Sequence, residues 1–341
     1  MMVLKVIQND NFYKAISYTS ENVSLLVVID DVTLGPALGG CRMLEFSDEK
    51  EALHHVARLA KAMTYKNAVV DLPFGGGKAL IYQWNHQKSR NEIFREFADV
   101  LNYINGEYYT ADDVNTTVKD MDFLRKYTKF ARGVFYKGQQ IPATSFGVYQ
   151  AIKAASSVIF KTPNLKGINV FVQGLGKVGY SFVKLLRSEQ ANVFVYDIQP
   201  DIVQKSVDEL GCIACTPDIV YRGTIDILSP CALGNSITKD NIQDLKVKLI
   251  AGGANNQLEN PSLAQVLYDK NIVYIPDFLC NAGGVIDVDC EGENYCPEYV
   301  YRRVGIIYDK TISFLNKSKE NSCPVLDIAL DYVHSKLKGG K

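Results

Sequence analysis

Residues Ile168–Ile198, INVFVQGLGKVGYSFVKLLRSEQANVFVYDI, decide the fold. An apolar strand runs into Gly174-x-Gly176-x-x-Gly179, a helix-forming stretch follows, and a second apolar strand ends on Asp197. In a strand–helix–strand unit each glycine has its own task. Gly174 permits the tight turn, Gly176 lets the backbone approach a pyrophosphate, and Gly179 lets helix and strand pack closely, with the anion on the helix N-terminus. The loop Gly174, Leu175, Gly176, Lys177, Val178 and Gly179 is therefore expected to hold a dinucleotide. Asp197 follows roughly 20 residues on, where a carboxylate accepts the adenine-ribose hydroxyls and repels a 2′-phosphate, which favours NAD over NADP. Lys177 lies by the pyrophosphate and bears little on that choice. A glycine turn in a fold that binds no nucleotide is the plain alternative; strand, glycines, helix, strand and acid in order argue against it.

Outward from this unit, INVFVQ, NVFVYD, IDILSP, KLIAGG and IVYIP alternate with polar or amphipathic segments between about residues 166 and 276. That rhythm predicts parallel strands with crossover helices. The first 140 or so residues read differently, with a strand-like SLLVVI at Ser24–Ile29, a glycine-rich loop at 35–40 and then a long helix. Ser47 is the expected N-cap of that helix, Asp48, Glu49 and Glu51 fill its first turn, and Ala52, Val56, Leu59, Ala60 and Met63 recur at helical spacing. Its C-terminal end delivers Lys66. The two patterns meet near Ile141-Pro142, and an amphipathic stretch from Tyr299 to Leu315 is expected to pack back toward the first domain.

A chain of 341 residues with 47% hydrophobic content can bury a large core and favours two domains, with a cleft between them. The formal net charge of -1 leaves no broad basic field for nucleic acid. The opening MMVLKVIQNDNFYK lacks the roughly 7–15 apolar residues of a signal peptide, and no later run approaches the roughly 20 of a membrane span, so a cytoplasmic protein is expected. The eight cysteines do not form a disulfide framework. Cys212 and Cys215 make a lone CxxC inside a strand pattern, read as structural. The histidines, His54, His55, His86 and His334, match no metal-binding helix spacing, and no metal site is expected.

Met63-Thr64-Tyr65-Lys66-Asn67-Ala68 precedes Leu72-Pro73-Phe74-Gly75-Gly76-Gly77-Lys78, so two lysines flank a glycine-rich turn. One ammonium can neutralise a substrate carboxylate while the other, crowded by the first and by burial, serves as a base. A phosphate loop would need glycine at 72 and a hydroxyl at 79; Leu72 and Ala79 stand there. Further on, Tyr109-Thr110-Ala111-Asp112-Asp113-Val114 puts two carboxylates at what reads as a strand end, where they either cap the next helix or exchange a proton with an amine.

At these residues the chain resembles the leucine, phenylalanine and valine dehydrogenase family, a branch of the glutamate dehydrogenase superfamily. The likeness extends to Gly35-Pro36-Ala37-Leu38-Gly39-Gly40-Cys41-Arg42-Met43, Ala254-Asn255-Asn256-Gln257-Leu258, Pro276-Asp277 and Asn281-Ala282-Gly283-Gly284-Val285. It implies a catalytic lysine at Lys78, a catalytic aspartate at Asp113 and a carboxylate-gripping lysine at Lys66. It also implies a side-chain pocket at Leu38, Gly39 and Ala111, closed by apolar residues after Val304, with Gly40 and Met63 on the same substrate side. Thr144, Ala254 and Asn255 fall on the cofactor side, and Asn281 near both substrate and cofactor. The implied reaction is reversible NAD-dependent oxidative deamination of leucine, valine, isoleucine or phenylalanine to the 2-oxo acid and ammonia, by a homo-oligomer of two to eight subunits.

Pattern and resemblance together predict an α/β fold. A substrate domain with a mixed sheet spans 1–142, and a Rossmann-like doubly wound NAD-binding domain spans 143–317. A final helix over about 318–341 packs back on the first. The chain departs from the family's pattern in a shortened 130–144 loop, Asn115 for glycine, Gly253 for serine, and Asp287 for an amide. Cys41 and QGLGKVGY resemble phenylalanine dehydrogenases, whereas Ala111 and YTADDV resemble leucine dehydrogenases. A 2-hydroxy-acid dehydrogenase would need a histidine and arginine pair, and a glutamate enzyme a further cation where Leu38, Gly39 and Ala111 stand. A dehydrogenase for tryptophan or glutamate, or a dinucleotide-binding paralogue without turnover, are the alternatives.

Overall fold

The computed structural model describes residues 3–9, 11–133, 141–232, 234–292 and 295–339. By their internal packing these divide into two compact units, one holding residues up to 133 with the described parts of 287–295 and 333–339, the other 141–286 and 296–332. The first passage between them falls in 134–140, so the shortened loop expected at 130–144 lies largely outside the described residues.

In the first unit the chain makes β1 (Val3–Asn9), β2 (Phe12–Thr19), β3 (Val23–Asp31), β4 (Ala37–Met43), α1 (Glu49–Val69), β5 (Gly75–Trp84), α2 (Arg90–Ile104), β6 (Tyr108–Asp112) and α3 (Val118–Leu124). The sheet runs β1-β2-β3-β5-β4-β6. Its first four members are antiparallel neighbours, while β4 lies parallel to both β5 and β6, so the sheet is mixed as expected. Leu25–Ile29 is apolar throughout because both faces are covered. Leu26 and Val28 pack with Ala52, Val56 and Ala60 of α1, whereas Leu25, Val27 and Ile29 pack with Ile93, Phe94 and Phe97 of α2.

The N-cap of α1 is Asp48, not Ser47: its carboxylate accepts from the backbone N–H of Lys50 and Glu51. A carboxylate with two acceptor oxygens serves two orphan donors and suits the positive end of the helix. The first unit also gathers two later stretches. Glu291 accepts from Gly133 N at 2.8 Å and pairs with Arg125 at 3.5 Å. Lys336 pairs with Asp71 at 2.8 Å, and His334 meets the Tyr65 ring edge-on.

The second unit contains α4 (Ala143–Ile159), β7 (Asn169–Gln173), α5 (Lys177–Ser188), β8 (Asn192–Tyr196), α6 (Pro200–Leu210), β9 (Ile213–Ala214), β10 (Ile227–Pro230), β11 (Leu249–Ile250), α7 (Leu263–Asp269), β12 (Val273–Tyr274) and α8 (Asp277–Cys280). Then come α9 (Gly283–Asp289), α10 (Pro297–Val304), α11 (Ile306–Asn321) and α12 (Val325–Gly339), with the ends of α9 and α12 counted in the first unit. All pairings are parallel and the order is β12-β11-β10-β7-β8-β9. The strand order reverses between β7 and β10, which is where a doubly wound sheet binds its ligand.

The stretch Tyr299–Leu315, expected to pack toward the first domain, instead packs within the second unit. The Tyr301 ring lies 5.0 Å from that of Phe146 on α4, and its hydroxyl donates to Ile141 O at 2.8 Å. Likewise α12 belongs with the first unit only from Val333 on, not from about residue 318. Amphipathicity shows that a helix has a buried stripe, not which neighbour covers it. Among the described residues no helix is long and apolar enough to cross a membrane.

Candidate functional site

Parallel pairing of β4 with both β5 and β6 sets three chain segments side by side, and each contributes one charged group. Lys78 extends from β5 and is only 6% exposed. Asp113 directly follows β6, and Arg42 comes from β4. Lys78 Nζ lies 3.1 Å and Arg42 Nε 3.0 Å from the same oxygen, Asp113 Oδ2. Burial pushes the Asp113 carboxyl up, but the charges and hydrogen bonds of Lys78 and Arg42 outweigh it and hold the group well below the ordinary aspartate value. Neither Asp112 nor Asp113 caps a helix; Thr117 caps α3 in a reciprocal box with Asp120.

The frame around this pair is hydrogen-bonded and tight. Thr116 Oγ1 accepts from Asp113 N and donates to Cys41 O, both at 2.8 Å, which pins the backbone of Asp113 to β4. The fully buried Tyr108 hydroxyl donates to Gly39 O at 2.9 Å. Asn67, one residue beyond Lys66 in the last turns of α1, donates to Leu38 O at 3.3 Å and Gly75 O at 2.7 Å. A Cβ on Gly39 would meet Gly77 O at 1.8 Å and Met63 Cγ at 3.3 Å. On Gly40 it would meet Asp113 Cβ at 2.8 Å and Lys78 Nζ at 3.3 Å. Ala111 pairs with Gly40 across the strands. Gly40 therefore abuts both Lys78 and Asp113, Ala111 lies beside Gly40, Met63 lies against Gly39, Leu38 precedes them on β4, and the half-buried Lys66 sits on α1, which packs on these strands.

The second unit brings the other expected residues together. Gly174 has φ +102°, and a Cβ there would strike Ala232 N at 2.6 Å. A Cβ on Gly179 would lie 1.9 Å from Gly174 O, whereas one on Gly176 meets nothing within 4 Å. The first glycine thus makes the turn, the third makes the contact, and the second faces open space at the start of α5, whose N-terminus carries no side-chain cap. This arrangement fits a pyrophosphate. Leu175 is buried, Val178 half-buried and Lys177 exposed. Asp197 Oδ2 accepts from Leu175 N at 2.6 Å and Oδ1 from Gln199 N at 2.9 Å, so the acid also ties the loop to the end of β8.

Asn281 donates to Asn255 Oδ1 at 2.8 Å and to Ala254 O at 3.4 Å, while its own Oδ1 is buried with no partner among the described residues. An orphaned acceptor of this kind fits a ligand amide. Thr144 Oγ1 lies 2.8 Å from where a Cβ of Gly284 would stand, which places α4 against the NAGG turn.

Residues 21–130 match the family model described as Glu/Leu/Phe/Val dehydrogenase, dimerisation domain, and residues 201–294 match that of Glutamate/Leucine/Phenylalanine/Valine dehydrogenase. A leucine dehydrogenase of Bacillus subtilis is 41% identical over 88% of this chain and 83% of its own. The chain belongs to this dehydrogenase family. A phenylalanine dehydrogenase of Caldalkalibacillus thermarum is 37% identical over 92% and 87% of the two chains. The crystal structure of L-tryptophan dehydrogenase from Nostoc punctiforme superposes with a TM-score of 0.81 at 32% identity, over 99% of this chain and 96% of that one.

Three departures from the family's pattern have physical accounts. Asn115 has φ +60°, the left-handed region that asparagine tolerates best after glycine, and its side chain donates to Met43 O at 3.1 Å. Gly253 leaves little room for a side chain, since a Cβ would meet Val178 Cγ1 at 2.7 Å. Asp287 is buried rather than on the surface, and accepts from the Tyr295 hydroxyl at 2.8 Å. Arg42, Thr116, Tyr108 and Asn67 escaped the sequence reading. For Arg42 a signal was present: a cation near the end of the apolar, glycine-rich β4, two residues from Gly40 and so on its face.

Proposed function

We propose that this dehydrogenase oxidatively deaminates a hydrophobic L-amino acid to its 2-oxo acid and ammonia, with NAD as cofactor. The observation that carries the reading is the Lys78–Asp113 pair, its lysine buried and its carboxylate half-buried, on strands whose positions Leu38, Gly39, Gly40 and Ala111 are small or apolar, with Met63 against Gly39. A substrate side-chain carboxylate would find no cation at those pocket positions; leucine, phenylalanine and tryptophan, which name the relatives, need none. The 174–179 loop, Asp197, Thr144, Ala254, Asn255 and Asn281 would hold NAD, which would supply the hydride acceptor.

Lys66 neutralises the substrate carboxylate, and Asp113 takes a proton from the ammonium so that the lone pair can drive hydride from Cα. The product is an iminium. Lys78 then removes a proton from the water that attacks its carbon and passes it to solvent, Asp113 returns a proton to the nitrogen, and Lys78 takes the remaining hydroxyl proton as the C–N bond breaks to release ammonia and the 2-oxo acid. We carry a homo-oligomer forward as part of the proposal, supported by the dimerisation-domain match; light scattering on the purified protein tests it.

The deciding assay follows the absorbance of reduced nicotinamide with leucine, valine, isoleucine, phenylalanine, tryptophan and glutamate, using NAD and then NADP. Turnover of one apolar or aromatic member with NAD supports the reading and names the substrate. Silence across the panel while NADH still binds would replace it with a non-catalytic role.

A further inference from the structure

Two cations meet Asp113 at one of its oxygens. The closest approaches of Lys78 and Arg42 are both to Oδ2, while the side chain keeps 22% of its surface exposed. Arg42 is itself fixed: its Nε bonds Asp113, its Nη1 lies 3.4 Å from His55 Nε2, and the His55 ring packs at a tilt 5.1 Å from that of Phe46. Burial and the positive charge of Arg42 lower His55, which favours the neutral ring as the acceptor of that contact. The charged groups facing Asp113 are thus Lys78 from β5 and Arg42 from β4, with His55 of α1 behind Arg42; nearby Asp120 is already paired with Arg90 at 2.6 Å.

Resting on the deamination proposed above, we infer that Arg42 is a positioning residue for the proton transfer. It anchors Oδ2 and keeps the carboxylate charged, so that Oδ1 is the oxygen presented to the substrate nitrogen. Lys78 cannot do this alone, because in the reaction its own ammonium must give up and regain a proton. The permanently charged guanidinium holds Asp113 through that exchange. Thr116 performs the matching task on the Asp113 backbone.

Two readouts test this, one of them free of turnover. In protein carrying 13C-labelled aspartate, with the Asp113 carboxyl resonance assigned by its loss in Asp113→Asn, Arg42→Gln should move the Asp113 titration to higher pH. An unmoved titration in a folded variant overturns the inference. In the deamination assay Arg42→Gln should lower kcat by at least about tenfold and shift the acid limb of its pH profile upward, with the KM for the amino acid changed little. Arg42→Lys should recover part of both. A fall in kcat with the acid limb in place, or no recovery by lysine, would make Arg42 a structural residue only. If the parent protein turns over no amino acid, the proposed reaction fails, while the carboxyl titration still decides whether Arg42 holds Asp113.

Discussion

Asp113 is the residue on which the site's electrostatics turn, and its titration has a definite sign. Because the fold holds its carboxyl below the ordinary value of about 3.9, its charged contacts stabilise the protein fully above that pH and are lost as pH falls toward the lower folded value. The stability advantage of the parent over Asp113→Asn should therefore shrink on acidification below roughly pH 4 in urea unfolding. A constant difference from neutrality down to about pH 3 would contradict the assignment. Gly40 tests the same cluster sterically. A Cβ there lies 2.8 Å from Asp113 Cβ and 2.9 Å from Asp112 O, so Gly40→Ala must displace the carboxylate. A displacement near 1 Å can cost about 10²-fold in turnover, and Gly40→Ala within twofold of the parent would show that the strands yield without moving Asp113.

At the scale of elements, α1 and the β7–α5 turn do most to place the chemistry. Asp48 caps the helix that carries Met63, Lys66 and Asn67, and Asp48→Ala should cost about 1 kcal/mol, read as a lower urea midpoint at constant m value. No loss would return the cap to Ser47. At the other site Gly179→Ala drives a methyl to 1.9 Å from Gly174 O, which should destabilise by about 1–3 kcal/mol and weaken NADH binding in a fluorescence titration. Asp197 needs a gentler change, since it also holds Leu175 N. Asp197→Asn keeps an acceptor for that N–H and removes the charge, so it should narrow the NAD over NADP ratio in kcat/KM while thermal stability stays close to the parent's. An unchanged ratio would remove the acid from cofactor choice.

Across the whole molecule, what was legible in the sequence was whatever local chemistry compels. The GxGxxG turn could be read because only glycine takes φ +102° at Gly174 and only glycine clears Gly174 O at position 179. The parallel strands, the covered faces of β3 and the helix that delivers Lys66 followed from periodicity. The lysines and Asp113 were legible as chemistry in search of a site, and their roles came from resemblance. Three things were not legible. The packing of Pro297–Asn321 on α4 was missed because an apolar stripe carries no address. The burial of Asp287 was missed because an aspartate is ordinarily exposed, and the Tyr295 hydroxyl that satisfies it becomes a partner only in the folded chain. The grip of Arg42 on Asp113 was missed because 71 residues separate them in sequence and only the β4–β6 pairing brings them within 3.0 Å. The sequence by itself determined the elements, the dinucleotide turn and the residue types available for catalysis, because these depend on backbone torsion and side-chain chemistry within a few neighbours. Tertiary structure alone decided which carboxylate oxygen is held, by which cations and against which strand, because those contacts are set by sheet register and burial, which act between segments remote in the chain.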